Sequence, residues 1–315
     1  MMKINDIIGD AKTIGIAGHV RPDGDCMGSC MSLYNYLKKN RPDLDVRVFL
    51  EFVDKKFNII ENTDQIITTG YDGTKFDLFI SLDTASLDRL GLNLPFYENA
   101  KRTACIDHHA SNDGYADYNY ILPKASSASE VLYDLLDEEL IDKSIAEPMY
   151  MGIAHDSGVF RFQSTTPKTM RIAANMIEKG VNVNMILEET FFRKTYNQMM
   201  VTAKIQSEAV LALDGKCIYG YCTSEMMEEY GVTTKDLDAV VASIRNVDGV
   251  EVAMFLYQLS EDSYKVSLRS KNYVDVSKIA VENGGGGHVR AAGAEIHGEL
   301  NDIINKLLNR IKQDI

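Results

Sequence analysis

Four short apolar runs, three of them leading into Asp or His, constrain this chain more than any other feature. Residues 13–18, 45–50, 77–83 and 102–107 each read as a strand, with helical patterns between them. Runs that are apolar on both faces and joined through helices imply a parallel sheet covered by helices on both faces. The first run leads into His19 and the turn Pro22-Asp23-Gly24-Asp25; the third ends in Asp83, and the fourth in Asp107-His108-His109. The carboxyl ends of parallel strands share one edge, the usual place for a ligand. These polar groups therefore gather at one site.

The turn after the first strand has two readings. Its Asp residues can cap the helix that follows, or they can be crowded by design, since neighbouring carboxylates repel unless a cation or a proton holds them. Later helices are expected at 127–136, at 146–154 and from Thr166 through Met176, with Pro167 in the first turn. The second of these leads into His155-Asp156, which adds Asp156 to the constellation of His19, Asp23, Asp25, Asp83, Asp107, His108 and His109. Oxygen and imidazole donors without a thiolate suit manganese or magnesium better than structural zinc. The carboxylates suffice for two ions sharing a bridging group, the arrangement used for in-line displacement at phosphorus. His155 reads as helix-surface decoration, and Cys26 as a small half-buried residue rather than a ligand. Arg21, Arg161 and Arg193 read either as phosphate contacts or, as surface arginines usually are, as solvated.

A net charge of −13 disfavours long nucleic acid as a substrate and favours small anions. The five cysteines have no framework spacing, and acids interrupt any secretory pattern near residue 1, so the expected location is the cytoplasm. Beyond residue 185 the pattern is mostly helix to about 213, then mixed. Strands are expected at 216–221, 250–257 and 264–270, the last two paired around a Glu261-Asp262 turn, with an amphipathic helix over 234–246 and another at the end. Gly284-Gly285-Gly286-Gly287-His288 reads either as a flexible helix stop or as a loop whose N–H groups approach an anion.

Taken together, His19-x-x-Pro-Asp23-Gly-Asp25, the Asp83 strand end, Asp107-His108-His109 and Asp156 resemble the four motifs of the DHH phosphoesterase superfamily. The glycine run with His288 and Ala291-Ala292-Gly293 resembles the glycine-rich motif of the DHHA1 domain. With Ser267-Leu268-Arg269-Ser270, the set most resembles the nano-RNase/pAp-phosphatase branch, although Arg21 stands where that branch often has a neutral residue. The resemblance implies an α/β fold: a DHH catalytic domain over 1–185 with a parallel-type sheet, a helical linker over 186–213, and a smaller mixed α/β DHHA1 domain over 214–315. It places the active site in the cleft between the two domains. It further implies two manganese ions, with magnesium or another divalent ion as alternatives. His19, Asp23 and Asp83 would hold one ion, and Asp25, Asp83, His108 and Asp156 the other. His109 would face the phosphate, Asp107 would orient the imidazoles, and Arg269, Ser270, Gly285, Gly286, Gly287 and His288 would bind the rest of the substrate.

The implied activity is hydrolysis of short RNA oligonucleotides such as pApA to 5'-mononucleotides by a metal-activated hydroxide, and removal of phosphate from 3'-phosphoadenosine 5'-phosphate (pAp). The rivals are an inorganic pyrophosphatase or polyphosphatase, a long-strand exonuclease, and a catalytically silent nucleotide sensor. No membrane or long duplex partner is expected, and the chain would act as a monomer or homodimer.

Overall fold

A computed structural model describes residues 2–237 and 240–315. The chain divides into two compact units, Met1–Arg193 and Lys194–Ile315. Among the described residues, no helix is long and apolar enough to cross a membrane.

The first unit runs α1 (Ile4–Ile8), β1 (Thr13–Ala17), α2 (Gly24–Asn40), β2 (Asp45–Phe49), β3 (Leu78–Leu82), α3 (Leu94–Glu98), β4 (Thr103–Asp107), β5 (Tyr118–Ile121), α4 (Ala128–Leu135), α5 (Lys143–Asp156), α6 (Pro167–Glu178) and α7 (Val183–Leu187). Its strands form one sheet in the order β2-β1-β3-β4-β5, and every pairing in it is parallel. Alternation explains the continuous apolar runs. Ile14, Ile16, Leu78, Ile80 and Leu82 join the core on one face, while Ala17 and Phe79 join an aromatic cluster on the other. The fifth strand, β5, has no such run. It is an edge strand whose first two residues are exposed, so nothing in its hydrophobic pattern announced it.

Helices α2 and α5 cross closely enough that a Cβ on Gly28 would lie 2.5 Å from the Pro148 carbonyl oxygen and 2.8 Å from Gly152. Pro148 lies inside α5 and has no N–H to give the Ser144 carbonyl one turn earlier. Asn35 of α2 supplies the missing donor at 2.8 Å. Side-chain caps begin three helices where they were expected: Asp23 on α2, Ser127 on α4 and Thr166 on α6.

The second unit runs α8 (Tyr196–Glu208), β6 (Val210–Ala212), β7 (Cys217–Cys222), α9 (Ser224–Tyr230), α10 (Val240–Ile244), β8 (Val252–Ser260), β9 (Ser263–Ser270), α11 (Val276–Val281), β10 (Gly286–His288), β11 (Ala291–His297) and α12 (Leu300–Ile311). The sheet order is β10-β11-β9-β8-β7-β6. It is mixed, because β7 and β8 are parallel and the other pairs antiparallel.

One mostly helical stretch resolves into parts, and one expected helix is broken. The stretch over 185–213 is α7, a π-turn at Glu188–Phe192, then α8 opening on the Thr195 cap and Gln198, and finally β6 paired with β7. The helix expected at 234–246 is a 3₁₀ turn (Thr234–Asp236) followed by α10; residues 238 and 239 lie outside the described residues.

Glu251 is buried and accepts the backbone N–H groups of Asn272, Tyr273 and Val274 at 2.8–3.1 Å. Burial alone would raise its pKa, but these donors outweigh it and the net shift is downward. A depressed carboxylate stabilises the fold above its ordinary pKa, and that contribution fades as pH falls through the folded value. Glu251→Gln is expected to cost about 1–3 kcal/mol at neutral pH. Urea denaturation across pH 3–7, with amide exchange at residues 272–274, checks it; a variant as stable as the parent at pH 7 contradicts it.

Candidate metal centre

The strand order places β1 between β2 and β3, so successive connections leave β1 in opposite directions and open a crevice at the carboxyl ends of β1 and β3. His19 follows β1 and Asp83 follows β3, one on each lip. The next strand, β4, ends in Asp107 and delivers His108 and His109 beside them. Helix α2 brings Asp23 and Asp25 from its first turn, and α5 brings Asp156 from its last.

Asp83 is the shared member. Its Oδ2 lies 3.5 Å from His19 Nε2, and its Oδ1 lies 3.5 Å from His108 Nε2 and 3.7 Å from His109 Nδ1. His19 Nε2 is also 3.8 Å from Asp23 Oδ1, and His108 Nε2 is 3.1 Å from Asp156 Oδ2. Three groups of donors are close enough to hold a metal ion: His19 with Asp23 and Asp83, Asp83 with His108 and His109, and Asp25 with His108 and Asp156. Asp83 adopts φ 53°, a left-handed conformation that Asp tolerates better than most residues. Strain of this kind collects where a side chain must be aimed.

Both readings of the β1–α2 turn hold at once. Asp23 Oδ1 accepts the N–H groups of Asp25 and Cys26 at 3.0 and 3.1 Å, and the same carboxylate faces His19. Asp25 is fully buried, and its two oxygens accept the Ala128 and Ser129 N–H groups at 2.6 and 3.0 Å, at the positive end of α4.

Burial and the Asp83 charge nevertheless push Asp25 up to about 7. Burial and the Asp25 charge push Asp156 well up. Burial would lower His108, but Asp83 and Asp156 outweigh it and raise it to about 10. Histidines face these acids: His19 pairs with Asp23 and Asp83, His108 with Asp83 and Asp156, and His109 with Asp83 and Asp107. Carboxylates crowded in this way favour positive charge among them, as the raised Asp25, Asp156 and His108 reflect. Divalent cations fit this arrangement, and the hard oxygen and nitrogen donors match manganese or magnesium.

Asp107 stands behind the cluster rather than in it. It is fully buried, and its Oδ1 accepts His109 Nδ1–H at 2.8 Å, which leaves Nε2 as the outward nitrogen. Asn112 donates to Asp107 Oδ2 at 2.7 Å. The sequence reading missed Asn112, although Asn two residues before Gly114 is a turn signal.

His155 needs correcting, because it is not on the surface. It packs against Phe57 and Phe191, bonds Thr190 Oγ1 at 2.9 Å, and is held down to about 4 by burial and then by Lys56. Gly24 makes room for it, since a Cβ there would sit 2.1 Å from its ring. Cys26 is fully rather than half buried, burial pushes its thiol up, and it belongs to none of the three donor groups.

In the second unit, register aligns His288 with Ala291 and Ala291 with Arg269, so both polar side chains share a face across one small residue. Ser270 follows Arg269 on β9 and turns to the other face. It is 1 % exposed and its Oγ makes no hydrogen bond among the described residues, so the structure does not group it with Arg269. The glycine run both stops α11 and packs a hairpin. Gly284 is left-handed, the Gly285 N–H goes to the Ala280 carbonyl, and Cβ atoms on Gly285 and Gly287 would lie 2.1 and 2.6 Å from β11 carbonyl oxygens.

An open, doubly wound α/β unit with a metal-suited acid and histidine cluster at its switch point, joined to a mixed α/β unit, is the architecture of a two-domain metal-site protein. Residues 13–153 match the family described as "DHH family, N-terminal domain", and residues 214–314 match the DHHA1 domain. The chain is 31% identical to the bifunctional oligoribonuclease and PAP phosphatase NrnA of Thermus thermophilus, over 96% of this chain and 90% of that protein. It is 28% identical to the protein of the same name from Bacillus subtilis, over 90% of each. An exopolyphosphatase-related protein from Bacteroides fragilis shares the fold, with a TM-score of 0.89 at 23% identity, covering 98% of this chain and 95% of that one. The chain belongs to the DHH family.

Proposed function

We propose that this protein is a metal-dependent phosphoesterase that hydrolyses short RNA oligonucleotides to 5'-mononucleotides and dephosphorylates pAp. The observation that carries the reading is Asp83, whose two carboxylate oxygens face different imidazoles, His19 on one side and His108 and His109 on the other. That is what a bridging ligand between two ions requires. His19 and Asp23 complete one side; Asp25, His108 and Asp156 complete the other. Manganese, when bound, would supply a nucleophilic water at neutral pH and neutralise charge developing on the phosphoryl oxygens.

The remaining work falls to the chain itself. His109, oriented by Asp107, presents Nε2 to the phosphate. Arg269 and His288, on one face of the second sheet, bind the rest of the nucleotide, and the backbone of residues 285–287 lines that contact. The relatives in Thermus thermophilus and Bacillus subtilis, matched over nearly their whole lengths, support both substrates. Five buried, unpaired cysteines are consistent with a reducing cytoplasm.

Incubation with manganese and, separately, pApA, pAp and pyrophosphate tests the reading by chromatography of the products. AMP from pApA and pAp, with pyrophosphate untouched, is the expected result. Turnover of pyrophosphate alone overturns it. No turnover of any of the three overturns it in favour of a nucleotide-binding role.

A further inference from the structure

We propose that Arg21 and Arg89 form a phosphate clamp on the rim of the metal centre, gripping a phosphate of the substrate other than the one hydrolysed; this deepens the phosphoesterase reading and rests on it. Arg21 lies in the β1–α2 turn between His19 and Asp23, and Arg89 lies in the 3₁₀ segment (Leu87–Asn93) that follows Asp83. The Val20 N–H donates to the Arg89 carbonyl at 2.7 Å, which ties the two loops together across the crevice between β1 and β3. Both arginines are exposed. Among the described residues, neither guanidinium has an ion pair, although the acids of the centre lie within a few positions of each along the chain.

Arg21 also departs from ordinary backbone geometry. It adopts φ 55° immediately before Pro22, where a residue with a side chain is strained. Gly or Asn would occupy the same turn at lower cost. The guanidinium is therefore not explained by the turn it sits in.

Electrostatics supplies the need. The carboxylates of Asp23, Asp25, Asp83, Asp107 and Asp156, one charge each, outweigh even two divalent ions. A substrate with two phosphates thus approaches a site that stays negative, in a chain of net charge −13. A pair of guanidinium forks on the rim offsets that repulsion locally and matches phosphate geometry bidentately. The ligand class is a nucleotide carrying at least two phosphates, such as pAp or a 5'-phosphorylated dinucleotide.

The test compares pApA with ApA, which lacks the terminal phosphate, in R21N, R89Q and the double variant. Asn accepts the left-handed turn, so R21N removes the fork without disturbing the backbone, and R21K retains charge without the fork. The expected result is that the pApA-to-ApA ratio of kcat/KM falls about tenfold in each single variant and further in the double. R21K should fall between R21N and the parent. A ratio equal to the parent's in all variants overturns the clamp while leaving the phosphoesterase reading intact. If the parent turns over neither substrate, that reading fails instead, and fluorescence anisotropy of labelled pAp decides the clamp alone. Weaker binding in the double variant then supports it, and equal binding overturns it.

Discussion

Asp83→Asn is expected to lower turnover of pApA by about a thousandfold or more, with the fold retained. Asn keeps the shape of the side chain and tolerates the left-handed backbone at φ 53°. The substitution therefore removes one charge and half the acceptor capacity, and little else. Both lost functions fall on one atom pair, because Oδ1 and Oδ2 serve imidazoles on opposite sides. Isothermal titration with manganese should show at least one binding event lost, and the melting temperature of the metal-free protein should stay within a few degrees of the parent. Near-parental rates in the variant would remove Asp83 from the mechanism. An unfolded variant would point to a structural role, and metal titration of the milder Asp83→Glu would then separate the two.

Gly152→Ala is the second large effect, and it acts through packing. A Cβ at this position would lie 2.0 Å from Ser129 Oγ and 2.7 Å from Asp25 Oδ1. Helices α2, α4 and α5 meet there, so α5 cannot accept a methyl without pushing Asp25 off the Ala128 and Ser129 N–H groups. A cost of about 3 kcal/mol is expected, or roughly 6–12 °C in melting temperature for a unit of this size. Activity should fall beyond what stability explains, because Asp25 moves. Ser129→Gly in the same chain removes the nearest clash. The double variant should recover part of both losses, a coupling that independent sites would not produce. A Gly152→Ala protein with parental melting temperature and activity would show that the contact relaxes freely.

Several features were legible because their causes are local. The strands β1 to β4 announced themselves as apolar runs, and the caps Asp23, Ser127 and Thr166 as the residues that open helices. Other features had no local signal. The edge strand β5 shows no alternation because solvent covers much of it. The stretch over 185–213 reads as mostly helix, but where it divides was not legible: a π-turn and the Thr195 cap separate α7 from α8, and its last residues form β6. His155 sits on a polar-looking helix end, but its burial comes from Phe57 and Phe191, residues far from it in the chain. Ser270 looked equivalent to Arg269 until register placed them on opposite faces of β9.

The amino-acid sequence by itself determined which acids and histidines gather at one sheet edge, the strand ends they occupy and the family to which the chain belongs. Chain order and the polarity of parallel strands suffice for that, since every strand in such a sheet delivers its last residues to the same edge. Tertiary structure alone decided that Asp83 stands between His19 and the His108–His109 pair, that Asp107 sits behind His109, and that Asp25 and Asp156 share an imidazole. Those relations include 3.5 Å between His19 and Asp83, which are 64 positions apart, and 3.1 Å between His108 and Asp156, which are 48 apart. They depend on how closely α2 and α5 cross at Gly28 and Gly152, a packing distance that no pattern along the chain encodes.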